Sequence, residues 1–211
     1  MRKKNKLVYG VGINDADYTV AWYEMVDGKL KKKTCPFYRT WSTMLARCYS
    51  EKYLAKKPSY RGSRVCDEWL RFSTFKAWMV EQDWKDENGK KKQLDKDLLS
   101  GSNRGKLYSP ETCLFVSGAL NSFLAFEQSV NNSFPVGVYW NSDVEKYQAE
   151  VNNSSTGGRE YLGVFTTPEA ASAAYCARKK EIAKKLAETV KDPRIKQILL
   201  DFEVPKHLRG N

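Results

Sequence analysis

Residues 7 to 33 alternate apolar and polar side chains around Tyr18, Val20, Trp22 and Met25, then reach Asp27-Gly28. Period-two alternation ending at that dipeptide predicts a β-hairpin. After Cys35-Pro36 the apolar positions Tyr38, Trp41, Met44, Leu45 and Cys48 step by three and four residues, the stripe of an amphipathic helix. Residues 50 to 64, polar and Lys-rich with Pro58 and Gly62, are expected as a loop. A second aromatic stripe from Val65-Cys66 through Trp69, Phe72, Phe75, Trp78 and Met79 predicts another helix, briefly interrupted at Ser73 and Thr74. Asp86-Glu87-Asn88-Gly89 predicts a turn that delivers the chain into Gln93-Leu94-Asp95-Lys96-Asp97.

The pattern changes after residues 129 to 133, Ser-Val-Asn-Asn-Ser, followed by Phe134-Pro135, which is where a joint between domains is expected. Three strands are predicted beyond it, Val136 to Trp140, Lys146 to Val151 and Glu160 to Phe165, with a turn at Thr156-Gly157-Gly158. Thr167-Pro168-Glu169 then supplies a helix start, with a capping hydroxyl, a proline suited to the first turn and an acid facing the helix dipole. Alanines at 170, 171, 173, 174 and 177 are expected to form a flat face that lets this helix lie close on the sheet. The tail from Asp192 should add a short helix, Ile195 to Phe202, and a loose end.

Composition narrows the class. Hydrophobic residues make up 41% of the 211 and charged residues 29%, which suits a folded globular chain. No apolar run approaches membrane-spanning length and the Lys-rich start lacks a signal-peptide core, so a cytoplasmic location is expected. The five cysteines, 35, 48, 66, 113 and 176, are odd in number, widely spaced and without CxxC pairs, and are expected as reduced thiols. The formal charge is +11, which makes a polyphosphate the expected partner. Residues 1 to 133 hold 24 Lys and Arg against 15 Asp and Glu, whereas residues 134 to 190 hold seven of each. The densest basic runs are Arg2-Lys3-Lys4 with Lys6, Lys29 with Lys31 to Lys33, and Lys90-Lys91-Lys92.

The words Val136-Gly137-Val138-Tyr139-Trp140, Lys146 to Val151, Tyr161-Leu162-Gly163-Val164-Phe165 and Thr167 to Ala171 with Ala174-Tyr175 resemble the AP2 DNA-binding domain over residues 134 to 180. The resemblance implies that the sheet, by the face turned away from its helix, enters the major groove of duplex DNA. The positions it assigns to that surface are Tyr139, Trp140, Lys146, Tyr147, Gln148, Glu150, Arg159 and Tyr161. Lys146 and Arg159 would hold phosphates and Gln148 would read adenine, while Tyr147 stands where the family usually has Trp.

A second resemblance sits upstream. Leu94-Asp95-Lys96-Asp97, the loop through Ser100-Gly101-Ser102-Asn103, Tyr108 to Val116 and Asn121 look like an HNH motif, a strand, loop, strand and helix around one divalent metal. Trp41-x-x-Met44-x-x-Arg47-Cys48 and Val65-Cys66-Asp67-Glu68-Trp69 add a likeness to phage proteins labelled HNH or AP2. Asp95 matches the metal ligand and Asn121 the helix ligand, with Mg or Mn as the implied metal. Lys96 falls where the general-base histidine belongs, and a lysine ordinarily carries its proton at neutral pH. The chain's one histidine, His207, lies in the tail.

The expected architecture is therefore α+β, a degenerate ββα-metal (HNH-like) region plus a three-stranded antiparallel AP2-like sheet packed on one helix. Its expected segments are a hairpin extension over 1–34, the HNH-like domain over 35–130, the AP2-like domain over 134–190 and a tail over 191–211. Three functions follow. The first is a phage DNA-binding protein that meets duplex DNA through the sheet and through Lys90, Lys91, Lys92 and Lys96 of a catalytically impaired HNH-like region. The second is an active Mg- or Mn-dependent endonuclease using Asp95, Asn121 and Asp97. The third is a phage protein whose exposed aromatics engage a host protein.

Overall fold

Both central residues of the Asp27-Gly28 turn have positive φ, 53° and 71°, the type I′ geometry whose twist matches that of two antiparallel strands. They join β1 (Ala21–Val26) to β2 (Lys29–Thr34) in a hairpin. The computed structural model describes residues 7–100, 106–124, 134–153 and 157–209. The basic run Arg2 to Lys6, the loop through 101–103, the joint at 129–133 and Thr156 lie outside the described residues. The chain is α+β, and it divides into two compact units, Met1–Val116 and Ser117–Asn211. That division falls before residue 117, earlier than the joint placed at 129–133.

In the first unit α1 (Pro36–Tyr49) buries Trp41, Met44, Leu45 and Cys48, the stripe seen in the sequence. Trp41 Nε1 donates to the Trp69 carbonyl at 2.7 Å, so its one polar atom is satisfied inside the core. The stretch expected as a loop contains α2 (Glu51–Lys56), whose start is capped by the Ser50 side chain accepting from Tyr53 N–H. The second aromatic stripe is not one helix. β3 (Arg64–Val65) and a 3-10 turn carrying Trp69 precede α3 (Phe72–Val80). Trp69 nevertheless packs edge-on against Phe75 at 5.1 Å. Trp41, Trp69, Phe72 and Phe75 are each at most 1% exposed, worth roughly 2–3 kcal/mol apiece in removed apolar surface. β4 (Gln93–Asp95) follows, β5 (Leu107–Tyr108) pairs in parallel with β3, and β6 (Leu114–Val116) pairs antiparallel with β4.

The second unit opens with α4 (Gly118–Leu124), whose Phe123 meets Phe202 at 5.1 Å. Its sheet is antiparallel in the order β7 (Val138–Asn141), β8 (Lys146–Asn153), β9 (Gly158–Phe165), with a register shift between Ala149 and Glu150. α5 (Pro168–Thr189) starts as expected, with Thr167 Oγ1 accepting from Ala170 N–H at 3.2 Å. Its buried face is Ala171, Ser172, Tyr175, Lys179, Ile182, Ala183 and Ala187. Ala170, Ala173 and Ala177 are exposed, so most of the alanine run favours helix without forming the packing face. Val138, Ala149 and Ala171 form the centre of the sheet's core, flanked by Phe134, Tyr147, Leu162 and Phe165.

The tail is docked rather than loose. α6 (Pro193–Leu200) buries Ile195 and Leu199, Val204 is fully buried, and Ser172 Oγ donates to the Arg209 carbonyl at 2.7 Å. Val136 N–H donates to the Leu208 carbonyl at 2.9 Å. All five cysteines are free thiols. Among the described residues no helix is long and apolar enough to cross a membrane.

Candidate nucleic-acid interface

Successive side chains of a strand point to opposite faces, so the buried residues of β7 to β9 fix which positions lie outward. Val138, Ala149 and Val151 are fully buried on the α5 side. Tyr139, Asn141, Lys146, Gln148, Glu150 and Asn152 therefore share the opposite face. The register adds Arg159 beside Asn152 and Tyr161 beside Glu150. This outer face is polar and aromatic, and Tyr161 is 59% exposed.

Glu150 is its hub. The Tyr139 hydroxyl donates to Oε2 at 2.7 Å, Gln148 Nε2 donates to Oε1 at 2.8 Å, and the Arg159 guanidinium lies 3.9 Å away. Asn141 Nδ2 donates to Gln148 Oε1 at 2.7 Å, which fixes the orientation of that amide. Partial burial, and then the bond to an acceptor carboxylate, push the Tyr139 pKa upward, so it remains a donor at any physiological pH. Fixed amide and carboxylate groups on a sheet face suit base edges, and the exposed Lys146 and Arg159 suit phosphates.

Trp140 and Tyr147 do not belong to this face. They pair in register, pack edge to face at 5.0 Å and share the parity of Val138 and Ala149, with Tyr147 also packed against Phe134 at 5.3 Å. Tyr147 joins the sheet's helix-side core, whereas Trp140 lies on that side but stays 48% exposed. Asn141 and Asn152 are the outward residues missing from the assigned set, and simple alternation from Tyr139 and Gln148 finds both.

Among the groups of the HNH resemblance, Asp95 Oδ1 accepts from the backbone N–H of Asp97 at 2.9 Å and of Leu98 at 2.8 Å, closing a local turn. Lys96 is only 6% exposed, pairs with the Asp97 carboxylate and lies 5.7 Å from the centre of the Tyr108 ring. Its burial corrects the expectation of a surface cation that meets phosphate. Asn121 sits on α4, in the second unit, whereas Asp95 belongs to the first. Among the described residues no three His, Cys, Asp or Glu side chains gather as metal ligands. One carboxylate already holding a turn, beside a buried ammonium, does not fit a divalent metal.

The charge is divided unevenly. The first unit holds 24 Lys and Arg against 14 Asp and Glu, a net +10, and the second 12 against 11, a net +1. Of the expected lysine run, Lys92 is held by Asp83 at 2.6 Å and the Lys90 backbone N–H is held by Asp86 at 2.8 Å. Lys91 is exposed at its surface, yet burial around its ammonium and repulsion from Arg39 and Arg47 lower its pKa. These three cations form a basic cluster. Arg47 also lies 5.7 Å from the Tyr60 ring centre, and its buried Nε has no hydrogen-bond partner among the described residues. Arg39 carries no sequence signal and Arg47 entered only through the word Trp41-x-x-Met44-x-x-Arg47-Cys48, since only folding brings α1 beside residue 91.

No known family, curated protein or solved structure matches the chain.

Proposed function

We propose that the protein binds duplex DNA, with the AP2-like outer face of β7 to β9 set in a groove and the basic first unit held against phosphates. The observation that carries this reading is the outer face itself. Tyr139, Asn141, Gln148 and Glu150 are locked in one hydrogen-bonded row. Groups held in place before binding lose little freedom on meeting base edges. In this reading the two contributions differ in kind. The sheet supplies base discrimination at nearly zero net charge, and the first unit supplies most of the salt-dependent affinity. The HNH-like segment then serves as a binding scaffold without a cleavage step.

The test uses purified full-length protein, a labelled duplex and a plasmid, incubated in Mg, Mn and EDTA. Binding that weakens by tenfold or more between about 50 and 200 mM salt, with intact plasmid in every buffer, supports the reading. Affinity that ignores salt overturns it. Cutting that requires Mg or Mn and disappears in Asp95→Ala installs an endonuclease in its place.

A further inference from the structure

Nothing in the sheet contact uses the hairpin of β1 and β2. Its register pairs Trp22 with Lys33, Glu24 with Lys31 and Val26 with Lys29 on one face, and Ala21 with Thr34, Tyr23 with Lys32 and Met25 with Leu30 on the other. Among the described residues nothing covers the large side chains of either face. Trp22 is 44% exposed, Tyr23 66%, Met25 62% and Leu30 64%. The hairpin is nonetheless fixed at both ends. Its tip is the type I′ turn, and at its base Cys35 N–H donates to the Val20 carbonyl at 2.8 Å, where Val20 packs on the core of the first unit. A two-stranded ribbon with no packing on either face gains little stability from its own strands, so an exposed one held in shape calls for a partner.

From this geometry we infer that the hairpin is a second DNA contact, a ribbon whose Lys29, Lys31 and Lys33 engage phosphates of the duplex. Alternate residues of one strand project from one face about 6.8 Å apart, comparable with the separation of successive phosphates along a nucleic-acid strand. The ion pairs these lysines make, Lys31 with Asp27 at 3.4 Å and Lys33 with Glu24 at 3.7 Å, are exposed and readily exchanged for phosphate. A two-stranded ribbon also has the width of a major groove. The opposite face is a poor protein interface. Tyr23, Met25 and Leu30 offer far less than the roughly 800 Å² per partner of a stable complex. The lysine row belongs to the unit that carries net charge +10. The inference rests on the duplex-binding reading but not on the outer sheet face, from which this surface is distinct.

Full-length triple variants test it by fluorescence anisotropy on a labelled duplex across a salt series. Lys29→Gln, Lys31→Gln and Lys33→Gln together should lower affinity about tenfold at moderate salt and reduce the log–log salt slope by about 3. The matching triple substitution to Arg should keep both affinity and slope. Gln148→Leu, on the sheet, tests the other surface in the same assay, through sequence preference with the slope unchanged. Unchanged affinity and slope in the Gln variant overturn the inference whatever Gln148→Leu does. So does a chain that sedimentation shows to be dimeric, with both dimer and duplex binding lost only in Tyr23→Ser with Met25→Ser and Leu30→Ser.

Discussion

The Tyr139 hydroxyl donates to Glu150 Oε2 at 2.7 Å while Gln148 donates to the other oxygen of the same carboxylate at 2.8 Å. One acid thus orients a phenol and an amide on adjoining strands. Removing the amide should abolish what it reads and leave the phosphate contacts alone. Gln148→Leu is expected to narrow the gap between the preferred and a scrambled duplex by about 1–3 kcal/mol, with an unchanged salt slope. Competition titrations with the two duplexes measure both quantities. Equal loss on both duplexes would count against a reading role for this face.

Gly137 has φ +76°, and a Cβ built there would lie 2.3 Å from the Tyr175 ring and 2.7 Å from the Glu150 carbonyl. Backbone cannot yield as a flexible side-chain tip does, and L residues avoid this φ. Gly137→Ala should therefore destabilise the second unit by about 3 kcal/mol or more. Thermal melting followed by circular dichroism checks this, and a melt within a degree or two of the parent would show that β7 and α5 separate more easily than the geometry implies.

Lys96→Ala should act on stability and not on DNA. Truncation removes a buried side chain that pairs with Asp97 and packs near Tyr108, at a cost of about 1–3 kcal/mol in urea unfolding. The salt slope of binding should not change. A slope lowered by about one ion without loss of stability would mean that Lys96 reaches phosphate after all.

Lys179 is 4% exposed on α5, and burial lowers its pKa to about 8, although the Phe123 ring lies 4.0 Å from its ammonium. The unfolded chain keeps that proton up to about pH 10.4. Between the two values the unfolded state binds more protons, so this residue makes stability rise with pH from about 8 to about 10.4, by at most ~3 kcal/mol. Lys179→Met should remove the rise. The difference between parent and variant in urea unfolding at the two ends of that range isolates the residue, and parallel curves would mean that the ammonium is not destabilised by burial.

Local signals carried much of the fold. Asp27-Gly28 determined the hairpin turn because few residue pairs accept two positive φ values, and Thr167-Pro168 determined the start of α5 because a hydroxyl and a missing N–H suit a helix end. The stripe from Trp41 to Cys48 determined α1 and its buried face. The outer face of the sheet was within reach too, since alternation alone excludes Trp140 and Tyr147 and admits Asn141 and Asn152. The second aromatic stripe was ambiguous, because a 3-10 turn followed by a helix presents nearly the same spacing as one helix.

What no local pattern contains is decided by contacts between distant segments. Burial of Lys96 depends on side chains such as Tyr108 that reach it from another strand, and the cluster of Lys91 with Arg39 and Arg47 depends on α1 lying beside a turn some fifty residues away. Residue type and period are properties of neighbours in the chain. Burial, charge pairing and the assembly of a site depend on which surfaces are removed from water together, and that is settled only when the whole chain packs.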